Sequence, residues 1–101
     1  MDTFSNFSNE RLARANAKQY IGDSFRNEYF AKSTRDNKKY MIFNPATGTW
    51  SHFGALGYED YTKHKDLGRR ANYLDRSGGI AGDWKNNKYS PNALARGILW
   101  R

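Results

Sequence analysis

The chain has 101 residues, a net charge of +7, sixteen aromatic residues and no cysteine. That is one domain's worth of chain, and ten Leu and Ile with no Val exclude a large aliphatic core. The absence of cysteine excludes disulfides, zinc–cysteine sites and thiol nucleophiles.

Residues 1–9 read as an arm whose only anchors are Phe4 and Phe7. Residues 9–21 read as a helix, capped by Ser8 or Asn9, continued by Glu10 and the helix formers Arg11–Ala15, and stopped at Gly22. Its apolar stripe (Leu12, Ala15, Gln19 and Tyr20) is thin, so the helix needs a surface to dock on. Residues 23–37 are ambiguous: Phe25, Tyr29 and Phe30 fit one helix face, and Ser33–Asn37 reads as a loop.

Lys39–Phe43 and Thr49–Phe53 read as two strands of a hairpin. Pro45 and Gly48 supply the turn between them. Alternation sets Trp50 and His52 on one face and Ser51 and Phe53 on the other. Residues 60–65 fit a short helical turn. Asp66–Ser77 reads as a helix with Leu67, Ala71 and Leu74 as its inner face, ended by Gly78 and Gly79. Gly68 inside it marks a close packing contact. A loop around Trp84 follows, and Ser90-Pro91 opens a last helix through Leu94, Ile98, Leu99 and Trp100.

The expected fold class is α+β: a β-hairpin packed against two short helices, with an N-terminal helical arm. The expected organisation is an arm over 1–37 and a small basic domain over 38–101. The expected core is Tyr40, Ile42, Trp50, Phe53, Leu56, Tyr61, Leu67, Ala71, Leu74, Trp84, Leu94, Ile98 and Trp100. Leu, Ile, Val and Phe number sixteen, below the roughly 20% at which a charged chain tends to disorder. That warning falls on the first third, where Phe4, Phe7, Phe25, Tyr29 and Phe30 have little aliphatic company. They are expected to anchor the arm on a partner.

Charge is uneven. Residues 1–37 carry six Lys/Arg and five Asp/Glu, and residues 38–101 carry eleven and five. Lys65, Arg69, Asn72 and Arg76 fall on one face of the 66–77 helix, flanked by Lys63 and Arg70. Such a stripe suits phosphates; it equally suits a solvated outer face with an Asp66–Arg70 pair. Tyr40, Trp84 and Tyr89 lie beside lysines and suit stacking on bases, although a chain so poor in aliphatics needs its aromatics inside. His64-Lys65-Asp66 lacks the spacing of a catalytic string, and Asp66 reads better as a first-turn carboxylate. His52 and His64 have no carboxylate cluster at metal-ligand spacing. No nucleophile motif, phosphate loop or dinucleotide pattern is present. The expectation is a non-enzyme with no metal and no cofactor.

No apolar run reaches the roughly 18 residues of a membrane span. Met1–Asn6 lacks a secretory signal's regions, and Asp2 stands where N-myristoylation needs glycine. These features fit a cytosolic, nuclear or intracellular-viral setting.

The string His52-Phe53-Gly54-Ala55-Leu56-Gly57-Tyr58-Glu59-Asp60-Tyr61-Thr62-Lys63-His64-Lys65-Asp66, then Arg69-Arg70-Ala71-Asn72-Tyr73-Leu74-Asp75-Arg76, resembles a family of small proteins from large double-stranded DNA viruses of algae and protists. Asp83-Trp84-Lys85 and Gly97-Ile98-Leu99-Trp100 extend the likeness, which covers residues 38–101. Ser77 stands where family members often have His. The resemblance implies a viral origin and a place in the particle. The expected function is therefore a small basic minor capsid or cement-like protein. It would sit in the virion and in the cytoplasm or nucleus of the host cell, with other virion proteins as partners. The alternative is a nucleic-acid-binding module using Lys63, Lys65, Arg69, Arg70 and Arg76.

Overall fold

A computed structural model describes residues 8–56, 58–80 and 84–101, without the side chain of Trp84. The expectations for Phe4, Phe7 and the Trp84 ring fall outside that set. The fold is α+β. Helix α1 (Glu10–Ile21) leads through a 3-10 turn at Asn27–Tyr29 into strand β1 (Phe30–Lys32). Then come β2 (Lys38–Asn44), β3 (Thr49–Ala55), the one-turn α2 (Tyr61–His64) and α3 (Leu67–Gly78). After a 3-10 turn at Trp84–Asn86, α4 (Pro91–Leu94) runs on as a π-helix over Ala95–Leu99.

The sheet is antiparallel in the order β1-β2-β3. The β2–β3 hairpin forms as its sequence dictates. Asn44 Oδ1 accepts from the Ala46 amide, and Gly48 supplies the positive φ of the turn. The third strand was hidden in the ambiguous segment: Phe30, Ala31 and Lys32 pair with Ile42, Met41 and Tyr40. Register puts Phe30, Tyr40, Ile42 and Phe53 together, and all four are buried. Their rings meet at 5.0 Å (Phe30–Tyr40) and 6.0 Å (Tyr40–Phe53).

Two helical elements close this core. Ala13 and Ala17 of α1 are fully buried, as are Leu94, Ile98 and Leu99 at the C-terminal end, with Ala95 nearly so. The helices meet closely because their contact residues are small. A Cβ on Gly97 would fall 2.2 Å from Cε1 of Tyr20, so only glycine admits that ring. Asn16 Nδ2 donates to the Ile98 carbonyl at 2.9 Å, and the Tyr20 hydroxyl to the Lys88 carbonyl at 2.7 Å. Ala13 and Ala17 thus share one core with the strands of residues 38–55.

Beneath the N-terminus of α1 lies a buried polar chain. The Tyr40 hydroxyl donates to Ser8 Oγ at 2.7 Å, and Ser8 Oγ lies 3.2 Å from Thr62 Oγ1. The Thr62 hydroxyl and amide both donate to Asp60 Oδ1, and Lys39 Nζ donates to Asp60 Oδ2 at 3.0 Å. Lys39 is 2% exposed and Asp60 not at all. Paired and hydrogen-bonded in this way, a buried charge is tolerable. Burial pushes the Lys39 ammonium below its ordinary value while the Asp60 carboxylate pulls it back. Burial also pushes the Tyr40 phenol well above its usual range, against the hydrogen bond to Ser8.

Several core expectations are corrected. Trp50 lies on the outer face of the hairpin, 40% exposed, because alternation that buries Phe53 must turn Trp50 out. Leu56 follows the end of β3 and is exposed. Leu67 is 68% exposed and Ala71 is exposed too. The face of α3 that turns inward carries Arg70, Tyr73, Leu74 and Ser77, so of the three expected inner residues Leu74 alone is half-buried. Polar contacts hold the helix: Arg96 Nη1 donates to the Leu74 carbonyl and Ser77 Oγ at 2.6 Å each, and Asn92 Nδ2 to the Ser77 carbonyl at 3.1 Å. Gly68 is exposed, and a Cβ added there would meet only the Asp66 carboxylate, at 3.3 Å, so it marks no packing contact.

Candidate nucleic-acid interface

The arginines and lysines divide by what their head groups do. Arg14 Nη1 donates to the Asn27 carbonyl at 2.7 Å. Arg70 Nε donates to the Trp100 carbonyl at 2.9 Å, with its guanidinium 5.5 Å from the Tyr61 ring. Arg96 is engaged on α3 as described. These three side chains each bond a backbone carbonyl of another element and so hold the fold together. Arg70, expected as a phosphate ligand, is thereby corrected to a structural residue: it ties α3 to the C-terminal segment.

Arg69 and Arg76 differ. Both are exposed on α3, and among the described residues neither makes an ion pair or a side-chain hydrogen bond. Asp66 caps the helix, accepting from the amides of Gly68 and Arg69. From that start, residues 69, 72, 73 and 76 fall on one side. They form one wall of a cleft of about 360 Å³. The facing wall is the end of β3 and the loop after it, with Gly54, Ala55, Tyr58 and Glu59; Ala95, Leu99 and Trp100 also line it, as does Lys39.

The aromatic part of this lining is ordered by stacking. Tyr73 and Trp100 lie 4.2 Å apart and 9° from parallel. The π-helical turn helps to set Trp100 there: its amide bonds back to the Ala95 carbonyl at 3.0 Å, and the wider turn keeps both Ile98 and Leu99 buried. Gly54 is needed for a different reason. It holds a φ of +81°, and a Cβ there would lie 2.7 Å from Leu99 Cδ1. Tyr58, by contrast, is 72% exposed.

His64 borders the same region. Its Nδ1 accepts from the Asp66 amide at 2.9 Å, which places the proton of a neutral ring on Nε2. That nitrogen is buried and has no hydrogen-bond partner among the described residues, and the ring packs 5.2 Å from Trp100. Burial and the nearby Arg69 charge hold His64 below its ordinary value. His52 sits elsewhere, its Nδ1 2.7 Å from Ser33 Oγ. Among the described residues no group of three or more His, Asp or Glu could hold a metal.

Lys63 and Lys65 are exposed and line a separate recess with Ser8, Asn9, Glu10 and Thr62. Lys65 Nζ lies 5.9 Å from the Tyr61 ring. They are not brought to the cleft wall that carries Arg69 and Arg76. A more open groove lies on the other flank of α3, lined by Arg70, Lys85, Lys88, Arg96 and Arg101 with no carboxylate side chain; Lys88 Nζ there donates to the Ile21 carbonyl at 3.3 Å.

The expected partner anchors mostly serve the chain itself. Phe30 is 2% exposed in the core and unavailable to a partner. Phe25 is half-buried against that core, and Tyr29 packs 5.2 Å from Phe43. Tyr40 is fully buried and Tyr89 half-buried on the core, so neither is an open stacking platform. The cleft residues Tyr58, Tyr73 and Trp100 were not expected as site residues. Tyr73 shares the spacing of Arg69 and Arg76 and could have been found that way. Nothing in the sequence joins it to Trp100.

Fold and cleft together define a small α+β protein with a cation-lined groove. Residues 29–77 match the model of a family of unknown function (DUF5754). That stretch holds the whole sheet and α3 as far as Ser77, but not α1 or Trp100. No curated protein matches the chain, and no solved structure does.

Proposed function

We propose that this protein is a non-enzymatic nucleic-acid-binding module whose phosphate contacts come from Arg69 and Arg76, with Lys63 and Lys65 adding to the field. The observation that carries this reading is the pair of unengaged guanidiniums beside the Asn72 amide on one wall of an open cleft. Three other arginines of the chain are engaged on backbone carbonyls. A guanidinium offers a planar fork of donors that matches a phosphate, and two left unengaged on one helix face suit a polyanion. The net charge of +7 supports the same partner at longer range.

Purified protein should bind generic nucleic acid with an affinity that falls steeply with salt, because each neutralised phosphate releases counterions. Absent or salt-insensitive binding at about 50 mM salt would reject the reading.

A second reading keeps the minor capsid or cement-like role that the viral resemblance implies. Its support is exposed apolar surface on α3, where Leu67 is 68% exposed and Ala71 is exposed too. Such a surface suits another virion protein. Disrupted particles should then release the chain with the shell fraction; recovery from infected cells but never from particles would reject it.

A further inference from the structure

The cleft beside α3 is more than a row of cations, and its lining specifies what kind of nucleic acid fits. Resting on the nucleic-acid reading above, we infer that the cleft seats one unstacked nucleotide, so that the ligand is a single strand.

Three observations carry this. The first is size and surface. A volume of about 360 Å³ lies at the small end of ligand pockets, and much of the lining is apolar or aromatic: Ala55, Ala95, Leu99, Tyr73 and Trp100. A duplex keeps its bases stacked and offers a protein phosphates and groove edges, which would leave that lining wet. A base swung out of a single strand presents the flat face that such a lining covers.

The second is an exposed ring at the cleft. Tyr58 lies in the loop after β3 and is 72% exposed, so its face is open to stacking. The Tyr73–Trp100 stack, by contrast, already covers one face of each of its rings.

The third is the arrangement of charge. Arg69 and Arg76 stand about two helical turns apart, on the order of 10 Å along the axis. They can hold the phosphates on either side of one nucleotide. Asn72 lies between them in sequence and offers an amide to a base edge. Glu59 lines the same cleft, and its carboxylate repels a phosphate while accepting from a base's donor groups. The cleft therefore favours phosphates along the arginine wall and a neutral base inside.

The test uses the full chain and fluorescence anisotropy at about 50 mM salt. The probes are a labelled oligothymidylate and a duplex of equal length. The single strand should bind about ten-fold more tightly or better. Tyr58→Ala, at an exposed position, should weaken the single strand about five-fold or more and leave duplex affinity unchanged. Ala55→Trp, which plugs the cleft from an exposed position, should do the same, with unaltered thermal melting showing that the fold persists. Equal affinity for the two probes, or a Tyr58→Ala variant that binds the single strand like the parent, overturns the inference while leaving the nucleic-acid reading standing. Binding to neither probe overturns both.

Discussion

At the scale of single residues, the Lys39–Asp60 pair tests how the interior is held. Asp60 does two jobs: it caps α2 through the Thr62 amide and neutralises Lys39. Replacing Lys39 by Met leaves a buried carboxylate without its cation, a change that typically costs about 3–5 kcal/mol. Urea denaturation should show that loss. A Lys39→Met protein within about 1 kcal/mol of the parent would mean that the Thr62 and backbone contacts satisfy Asp60 unaided. The sequence could not reveal this pair. Lys39 occupies a strand position that reads as solvent-facing, and its partner lies twenty-one residues on.

At the scale of elements, α3 separates pattern from packing. Its Leu67, Ala71 and Leu74 periodicity is a sound reason to expect a helix there, and the helix spans Leu67–Gly78. The same periodicity names the inner face only in part: Leu74 is half-buried, whereas Leu67 and Ala71 are exposed. Arg96, Asn92 and Arg70 bind across the helix through long-range hydrogen bonds, and no periodicity encodes those. Leu67→Ser should therefore change stability by no more than about 0.5 kcal/mol, as at an ordinary surface site. Arg96→Ala should cost about 1.5–3 kcal/mol, the range for hydrogen bonds to a charged group. The reverse order in a denaturation series would restore the apolar face as the one that packs. The β2–β3 hairpin was legible because its turn chemistry is local. Strand β1 was not, because three residues are too few to show alternation and its pairing partner is remote. Of the basic stripe, the spacing of Arg69, Asn72 and Arg76 was legible, while the loss of Arg70 to the Trp100 carbonyl was not.

At the scale of the whole molecule, charge governs both stability and binding. Burial, with Arg35 and Lys38 nearby, holds His52 below its ordinary value, as burial and Arg69 do for His64. The unfolded chain therefore takes up these protons before the folded one does. The stability they contribute is full above about pH 6.5 and is lost as pH falls through that value towards the lowered folded ones. A denaturation midpoint that drops between about pH 7.5 and pH 5.5, and drops less when both histidines are replaced by Gln, fits this account. A pH dependence untouched by the replacements contradicts it.

The central claim is that the cations divide into those that hold the fold and those left for a polyanion. Salt titration of nucleic-acid affinity with the Arg69→Ala/Arg76→Ala double variant tests it most directly. The account predicts an unchanged melting temperature, weaker binding, and a log–log salt slope shallower by about 1.4–1.8, two phosphate contacts' worth. An unchanged slope and affinity in a folded variant would contradict it.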